Sequence, residues 1–243
     1  MIKVRGQRGF TLIELVIVIV IIGIIAAITT RQMSTSIETS LYEQTKSEMD
    51  QIAQAIVGDP HLYGGSSRVD FGYVGDIGAL PLDMDALVED PGYETWNGPY
   101  MTRGFNAEDF KKDAWDSYYI LTGTSVRSTG SGSNIDKPFA AGTAELLDNS
   151  FEGIVFDANH SVPGTTYRDS VSVRLIYPDG IGGMTTAAAN PTAQGNFSFA
   201  SLPVGNHTLQ IIYLPDSDTL SYPVSIMPGE TVKMNITFPA DLW

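Results

Sequence analysis

The sequence predicts an α+β protein: a long N-terminal transmembrane and amphipathic helix, then a small αβ head, then an all-β sandwich. Three observations predict it. An apolar run follows a short basic N-terminus. An apolar stripe at helical spacing continues beyond that run, with no proline before Pro60. Residues 150–243 alternate apolar and polar side chains between turn signals. With 243 residues and 43% apolar side chains, the chain can bury a sizeable core.

Composition removes whole classes of function. The 14 Lys+Arg stand against 28 Asp+Glu, a net charge of -14 that repels nucleic-acid phosphates. The chain has no Cys, so disulfides, thiolate zinc sites and cysteine catalysis are out. His61, His160 and His207 are the three histidines and keep no ligand-like spacing. Residues 1–57 hold five acids and five bases, residues 58–150 fifteen and six, and residues 151–243 eight and three. The acidity therefore belongs to everything beyond the first helix.

That helix begins after a basic stretch carrying Lys3, Arg5 and Arg8. Leu15 to Ile28 are fourteen residues without a charge, all Val, Ile, Leu, Ala or Gly. From Phe10 to Ile28 the nineteen residues span about 28 Å of helix, against a hydrocarbon core of about 30 Å. Three bases precede the run and only Arg31 follows closely, which places the N-terminus in the cytoplasm and the rest across the membrane. Ala26-Ala27-Ile28 offers a weak secretory cleavage site, so the segment is expected to be retained as an anchor. Glu14 is the anomaly, because a carboxylate inside an apolar helix is costly. Either it reaches the headgroups, or it pairs with a positive charge within the membrane. Cleavage between Gly9 and Phe10 would create such a charge, an α-amino group four residues earlier in each of many identical helices.

Gly9-Phe10-Thr11-Leu12-Ile13-Glu14 ahead of the apolar run resembles the class III signal of type IV pilins and type II secretion pseudopilins. The resemblance implies that residues 1–9 are a leader peptide, that prepilin peptidase cuts after Gly9 and N-methylates Phe10, and that Glu14 registers each subunit against its neighbour's N-terminus. Gly23 and Ala26 fall where the family often has small residues. Arg31 stands where it usually has a helix-kinking proline.

Beyond the membrane, Met33, Ile37, Leu41, Thr45, Met49, Ile52 and Ile56 recur at three- or four-residue steps. One helix over residues 10–57, with 10–28 in the membrane, would be about 70 Å long. Gly58-Asp59-Pro60 ends it. The head, residues 58–125, is turn-rich, with a short helix expected from Pro81 to Glu89 and a strand from Ser117 to Thr122. Trp96-Asn97-Gly98-Pro99-Tyr100 and Asp113-Ala114-Trp115-Asp116-Ser117-Tyr118-Tyr119 resemble segments of the major pseudopilin of type II secretion, except at Ala114 and Asp116. That resemblance implies a structural calcium in the loop around residues 126–136. Asp136 is the only carboxylate there, whereas calcium takes six to eight oxygens, so no cofactor is expected. Residues 126–149 read instead as a Ser/Gly linker.

In the sandwich, residues 150–243, the alternating sets are Val171/Val173/Leu175, Phe197/Phe199, Leu209/Ile211/Tyr213 and Val232/Met234/Ile236/Phe238. Gly195-Asn196-Phe197-Ser198-Phe199 and Leu202-Pro203-Val204-Gly205 resemble carboxypeptidase regulatory-like (transthyretin-like) domains, which implies a structural or binding module. No Gly-x-Ser-x-Gly or His-Glu-x-x-His occurs. Asp83/Asp85 and Asp113/Asp116 read as solvated or capping acids, and His160 and His207 as surface residues beside turns. Asn159, Asn196, Asn206 and Asn235 head four Asn-x-Ser/Thr sequons in a Ser/Thr-rich region.

The expectation is a non-enzymatic, pilin-like structural subunit. Its partners would be copies of itself, other pilin-like subunits, prepilin peptidase, the inner-membrane assembly machinery and membrane lipid, with no nucleic acid. It would be a single-pass inner-membrane protein with a periplasmic head, later part of a periplasmic or extracellular filament. Two alternatives stand beside it: a minor pilin or adhesin whose β-domain binds a surface or secreted partner, and a membrane-anchored periplasmic hydrolase.

Overall fold

The structure, a computed structural model, describes residues 9–65, 67–104, 106 and 108–243. The basic leader residues Lys3, Arg5 and Arg8 lie outside them. The chain divides into two compact units, Met1–Thr45 and Lys46–Trp243.

Helix α1, Leu12–Val57, is unbroken, as the absence of proline predicts. In the first unit its large apolar side chains point outward along the whole run, from 84% exposed at Leu12 to 46% at Val16. No described residue of this unit covers them, which is the pattern of a surface meant for lipid or for other helices. Five of the hydroxyls that follow bond the carbonyl four residues earlier. Thr29 donates to Ile25 O, Thr30 to Ala26 O, Ser34 to Thr30 O, Thr35 to Arg31 O and Thr39 to Thr35 O. Met33 and Ile37 of the predicted stripe are exposed.

In the second unit the last turns of α1 bury Met49, Ile52 and Ile56 against Phe71, Val74, Ile77, Leu87, Val126 and Leu146. Gly58 stops the helix with φ +77, and its N–H bonds Gln54 O at 2.7 Å. A Cβ there would stand 2.5 Å from the Asp70 carbonyl, so only glycine fits. The buried Arg68 guanidinium caps the helix end by donating to Val57 O, and to Asp70 O at 2.6 Å.

A short hairpin of β1 (Tyr63–Gly64) and β2 (Ser67–Arg68) leads to α2 (Gly72–Ile77). The helix expected over 81–89 is only a 3₁₀ turn, Asp85–Leu87, because a few residues before Pro91 cannot support α-helical pairing. The Trp96–Tyr100 segment straps this region. Trp96 Nε1 donates to Ala86 O at 2.9 Å, Tyr100 N to Leu87 O at 2.9 Å, and the Tyr100 hydroxyl to Asp76 Oδ2 at 2.8 Å.

Strands β3 (Ile120–Thr122), β4 (Ser125–Ser128) and β5 (Ile135–Pro138) form an antiparallel sheet, followed by α3 (Thr143–Leu147). Two expectations need correction here. The strand placed at 117–122 starts only at Ile120, because Asp113–Ser117 forms a closed loop. Residues 126–149 are not a bare linker: Val126, Ser128 and Leu146 are buried, and the Ser/Gly run is the turn between β4 and β5.

The remaining strands are β6 (Asn149–Phe156), β7 (Val171–Pro178), β8 (Met184–Ala189), β9 (Asn196–Leu202), β10 (Gly205–Tyr213), β11 (Asp218–Ile226) and β12 (Thr231–Thr237), with a one-turn helix α4 (Gly164–Tyr167) before β7. They form a sheet of order β11-β10-β7-β8 and another of order β12-β6-β9, in which β12 runs parallel to β6 and all other pairs are antiparallel. The predicted alternation holds: Val171, Val173, Leu175, Phe197, Phe199, Leu209, Ile211 and Ile236 share one apolar cluster between the sheets. One edge of this assembly meets the helical region, where Gly180 N bonds Ile77 O, Val204 N bonds Leu146 O, and Asn206 Nδ2 bonds Val69 O.

Candidate functional site

The candidate site is the start of α1. Gly9 and Phe10 precede the first helical residue, Phe10 is 83% exposed, and among the described residues no atom crowds Gly9. The Gly9–Phe10 peptide bond is thus extrahelical, between two exposed residues. Thr11 is the N-cap, since its carbonyl accepts the Leu15 N–H at 3.2 Å. Glu14, three residues on, closes a capping box. The Glu14 N–H donates to Thr11 Oγ1 at 3.3 Å, while Glu14 Oε2 accepts from Thr11 N at 2.8 Å and Thr11 Oγ1 at 2.7 Å. Glu14 Oε1 has no hydrogen bond among the described residues. Glu14 is therefore fixed onto Thr11 at the start of the helix, with one carboxylate oxygen unused. Thr11 is the member of this constellation that the family signal did not single out, although Thr-x-x-Glu before an apolar run is a readable cap.

Several concave surfaces lie among the described residues of the second unit, and two of them carry polar clusters. A cavity of about 230 Å³ is lined by Asp70, Asp76, Asn97, Tyr100 and Asn206 among others. Burial pushes the Asp76 carboxyl above its ordinary value and the Tyr100 phenol well above its own, so the Tyr100–Asp76 hydrogen bond keeps its proton on the phenol. Burial likewise pushes neighbouring Tyr73 up to about 12. An open groove of about 450 Å³ runs over the outer face of the β12-β6-β9 sheet. Asn196 and Asn235 flank Ile154 in one cross-strand row there, and Ser198 and Lys233 flank Glu152 in the next. Period-two alternation contained this polar face, but not its concavity.

The loop at 126–136 does not fit calcium. Asp136 is tied to Arg127 (Oδ1 to Nε 2.6 Å), and the Ser131 hydroxyl is turned onto Ser133. Among the described residues no group of three or more His, Asp or Glu side chains could hold a metal ion. Asp83 and Asp85 each serve local structure, Asp83 accepting from Ala86 N and Asp85 pairing with Lys111. Asp113 is buried, accepting from Trp115 N, Ser117 N, Ser128 Oγ and Gly130 N at 2.6–3.1 Å. Asp116 is exposed and pairs with Lys112. His160 is exposed as expected. His207 is not a surface residue: it is 2% exposed, with Nε2 donating to Pro203 O at 2.8 Å, because β10, at whose start it lies, packs against α2.

Residues 4–30 match the prokaryotic N-terminal methylation motif. No curated protein matches the chain. Solved structures resemble it over part of its length. The dioxygenase domain of a dioxygenase carbohydrate-binding protein fusion from Streptomyces sp. SirexAA-E is 11% identical over 42% of this chain and 86% of its own, with a TM-score of 0.30. The streptococcal ancillary pilin is 13% identical over 49% of this chain and 44% of its own, at 0.27. The major pilin subunit of Bacillus cereus is 15% identical over 52% of this chain and 42% of its own, at 0.25. At these scores none of the three bears on what the chain does.

Proposed function

We propose that the chain is a structural subunit of a type II secretion pseudopilus or a type IV pilus-like filament, processed by prepilin peptidase and assembled through α1. One observation carries this reading: the N-terminal methylation motif at residues 4–30 spans the start of an unbroken helix whose apolar first half is uncovered among the described residues. Cutting the exposed Gly9–Phe10 bond leaves a free α-amino group at Phe10. In a neighbouring copy Glu14 keeps its cap to Thr11 through Oε2 and offers Oε1 to that ammonium. Away from water the pair is strong and fixes the stagger between helices, while the apolar residues that follow supply the contact area. The strand-rich region, read as a transthyretin-like module, would ride on the outside of the filament, and no catalytic step is assigned to it.

A second reading, a minor pilin or adhesin, is favoured by the groove on the β12-β6-β9 sheet, where carboxamides and a Glu152–Lys233 pair face outward. A copy number near one per filament would select it over a major subunit. The processing step itself is tested by Gly9→Val, which should accumulate as a membrane-bound chain retaining residues 1–9. Normal cleavage of that variant would contradict the assignment.

A further inference from the structure

Of the four sequons, Asn196, Asn206 and Asn235 sit in strands, where period two puts any Asn and the hydroxyl two residues later on the same outer face. Their sequon form is a by-product of alternation. Asn206 is also engaged on both sides of its carboxamide, donating to Val69 O at 3.1 Å and accepting from Ser225 Oγ at 2.6 Å. Asn159 is different. It lies outside any strand, at the tip of the Asp157–Ser161 loop that follows β6, and Asn159, His160 and Ser161 are all exposed.

The loop holds the acceptor in a fixed form. Buried Asp157 accepts from the backbone N–H of Asn159 at 2.9 Å and of Ser161 at 2.8 Å through one oxygen. Asp157 N donates to Ser161 O at 3.0 Å, Trp243 Nε1 donates to the same carbonyl at 2.9 Å, and His160 turns the chain with φ +59. The backbone is thereby spoken for, while the Asn159 carboxamide and the Ser161 hydroxyl make no hydrogen bond among the described residues. An exposed carboxamide and hydroxyl two residues apart on a surface loop are what N-linked transfer requires of its acceptor.

We propose that Asn159 is an N-glycosylation site, modified on the far side of the membrane from a polyprenyl-diphosphate-linked glycan. The carboxamide nitrogen attacks the anomeric carbon of the first sugar and loses one proton to water. The new C–N bond forms as the bond from that carbon to the diphosphate oxygen breaks, and the polyprenyl diphosphate leaves. The proposal rests on the reading that the strand-rich region lies outside the cytoplasm.

The test is mass spectrometry of the full chain and its peptides, purified from the membranes of the cells that make it. The peptide containing residues 157–161 should carry a glycan on Asn159. Asn159→Gln and Ser161→Ala should abolish that mass increment, and Ser161→Thr should keep it. An unmodified Asn159 in a chain that has lost residues 1–9 and gained a methyl group overturns the glycosylation alone. A glycan on Asn196, Asn206 or Asn235 instead also overturns the assignment. A chain that keeps residues 1–9 fails the filament-subunit reading, whatever Asn159 carries.

Discussion

Glu14 spends one carboxylate oxygen on its own helix cap and leaves the other open. If it only reached for the headgroups, Glu14→Val would be harmless or would favour insertion. If it pairs with a neighbour's Phe10 ammonium, the same change leaves that ammonium unpaired away from water and should lower association by about two to three decades. Glu14→Val should then be cleaved and inserted normally yet be missing from sheared filaments, with Glu14→Asp between the two. A wild-type ratio of filament to membrane subunit for Glu14→Val would contradict the pairing. His207 makes a second prediction. Burial holds its imidazole below the ordinary 6.5, and Nδ1 has no partner among the described residues to accept a proton's charge. Below that pH the unfolded chain binds a proton that the folded chain refuses. Stability is therefore complete above about 6.5 and falls with decreasing pH, by at most about 1.4 kcal/mol per pH unit. Denaturant midpoints between pH 7 and 5 should show a drop that His207→Phe removes; an unchanged drop would assign the acid sensitivity elsewhere. The N-terminal methylation motif was legible in the sequence because it is contiguous. The burial of His207 was not, since it depends on α2, far earlier in the chain.

One loop design recurs at the scale of elements. In Asp113–Ser117, Asp157–Ser161 and Asp179–Gly183 the first residue's Oδ1 accepts N–H groups two and four residues on, its own N–H bonds the carbonyl four residues on, and the fourth position has positive φ. Asp113 adds bonds from Ser128 and Gly130 and is buried, whereas Asp179 is exposed. Asp113→Ala should therefore cost about 3 kcal/mol or more, since hydrogen bonds to a charged group contribute about 1.5–3 kcal/mol each. Asp179→Ala should cost clearly less. Equal losses by chemical denaturation would mean that Asp113 does not hold the β4–β5 turn in place. The same bonds explain why the linker expectation failed. Ser128-Thr129-Gly130-Ser131-Gly132-Ser133 has the composition of a flexible tether, but Ser128 and Gly130 are anchored by a carboxylate fifteen or more residues earlier. Long-range anchoring leaves no local signal. By contrast α1 and the strands of the last region were legible, because periodicity of 3.6 and of 2 is itself local.

Over the whole molecule, charge and apolarity are segregated: the first 57 residues are neutral overall, and the remainder carries the full -14. Within Lys46–Trp243 the two apolar clusters divide close to residue 150. The cluster of the last region has members only from Phe151 onward, and Val204 is the fully buried residue from that region that joins the other cluster. A fragment of residues 150–243 should thus fold cooperatively as a β-protein. Its thermal midpoint should fall several degrees below that of the same transition in the intact chain, because Val204 and His207 lose their cover and each kcal/mol is worth roughly 4–8 °C in a domain of this size. Absence of any cooperative transition would mean that the strands depend on the helical region to fold. The central claim, that this chain is cut and assembled through its first helix, is tested most directly by the intact mass of the subunit recovered from sheared filaments. The mass should correspond to a chain starting at Phe10 with one added methyl group. A functional chain that still begins at Met1 would contradict it.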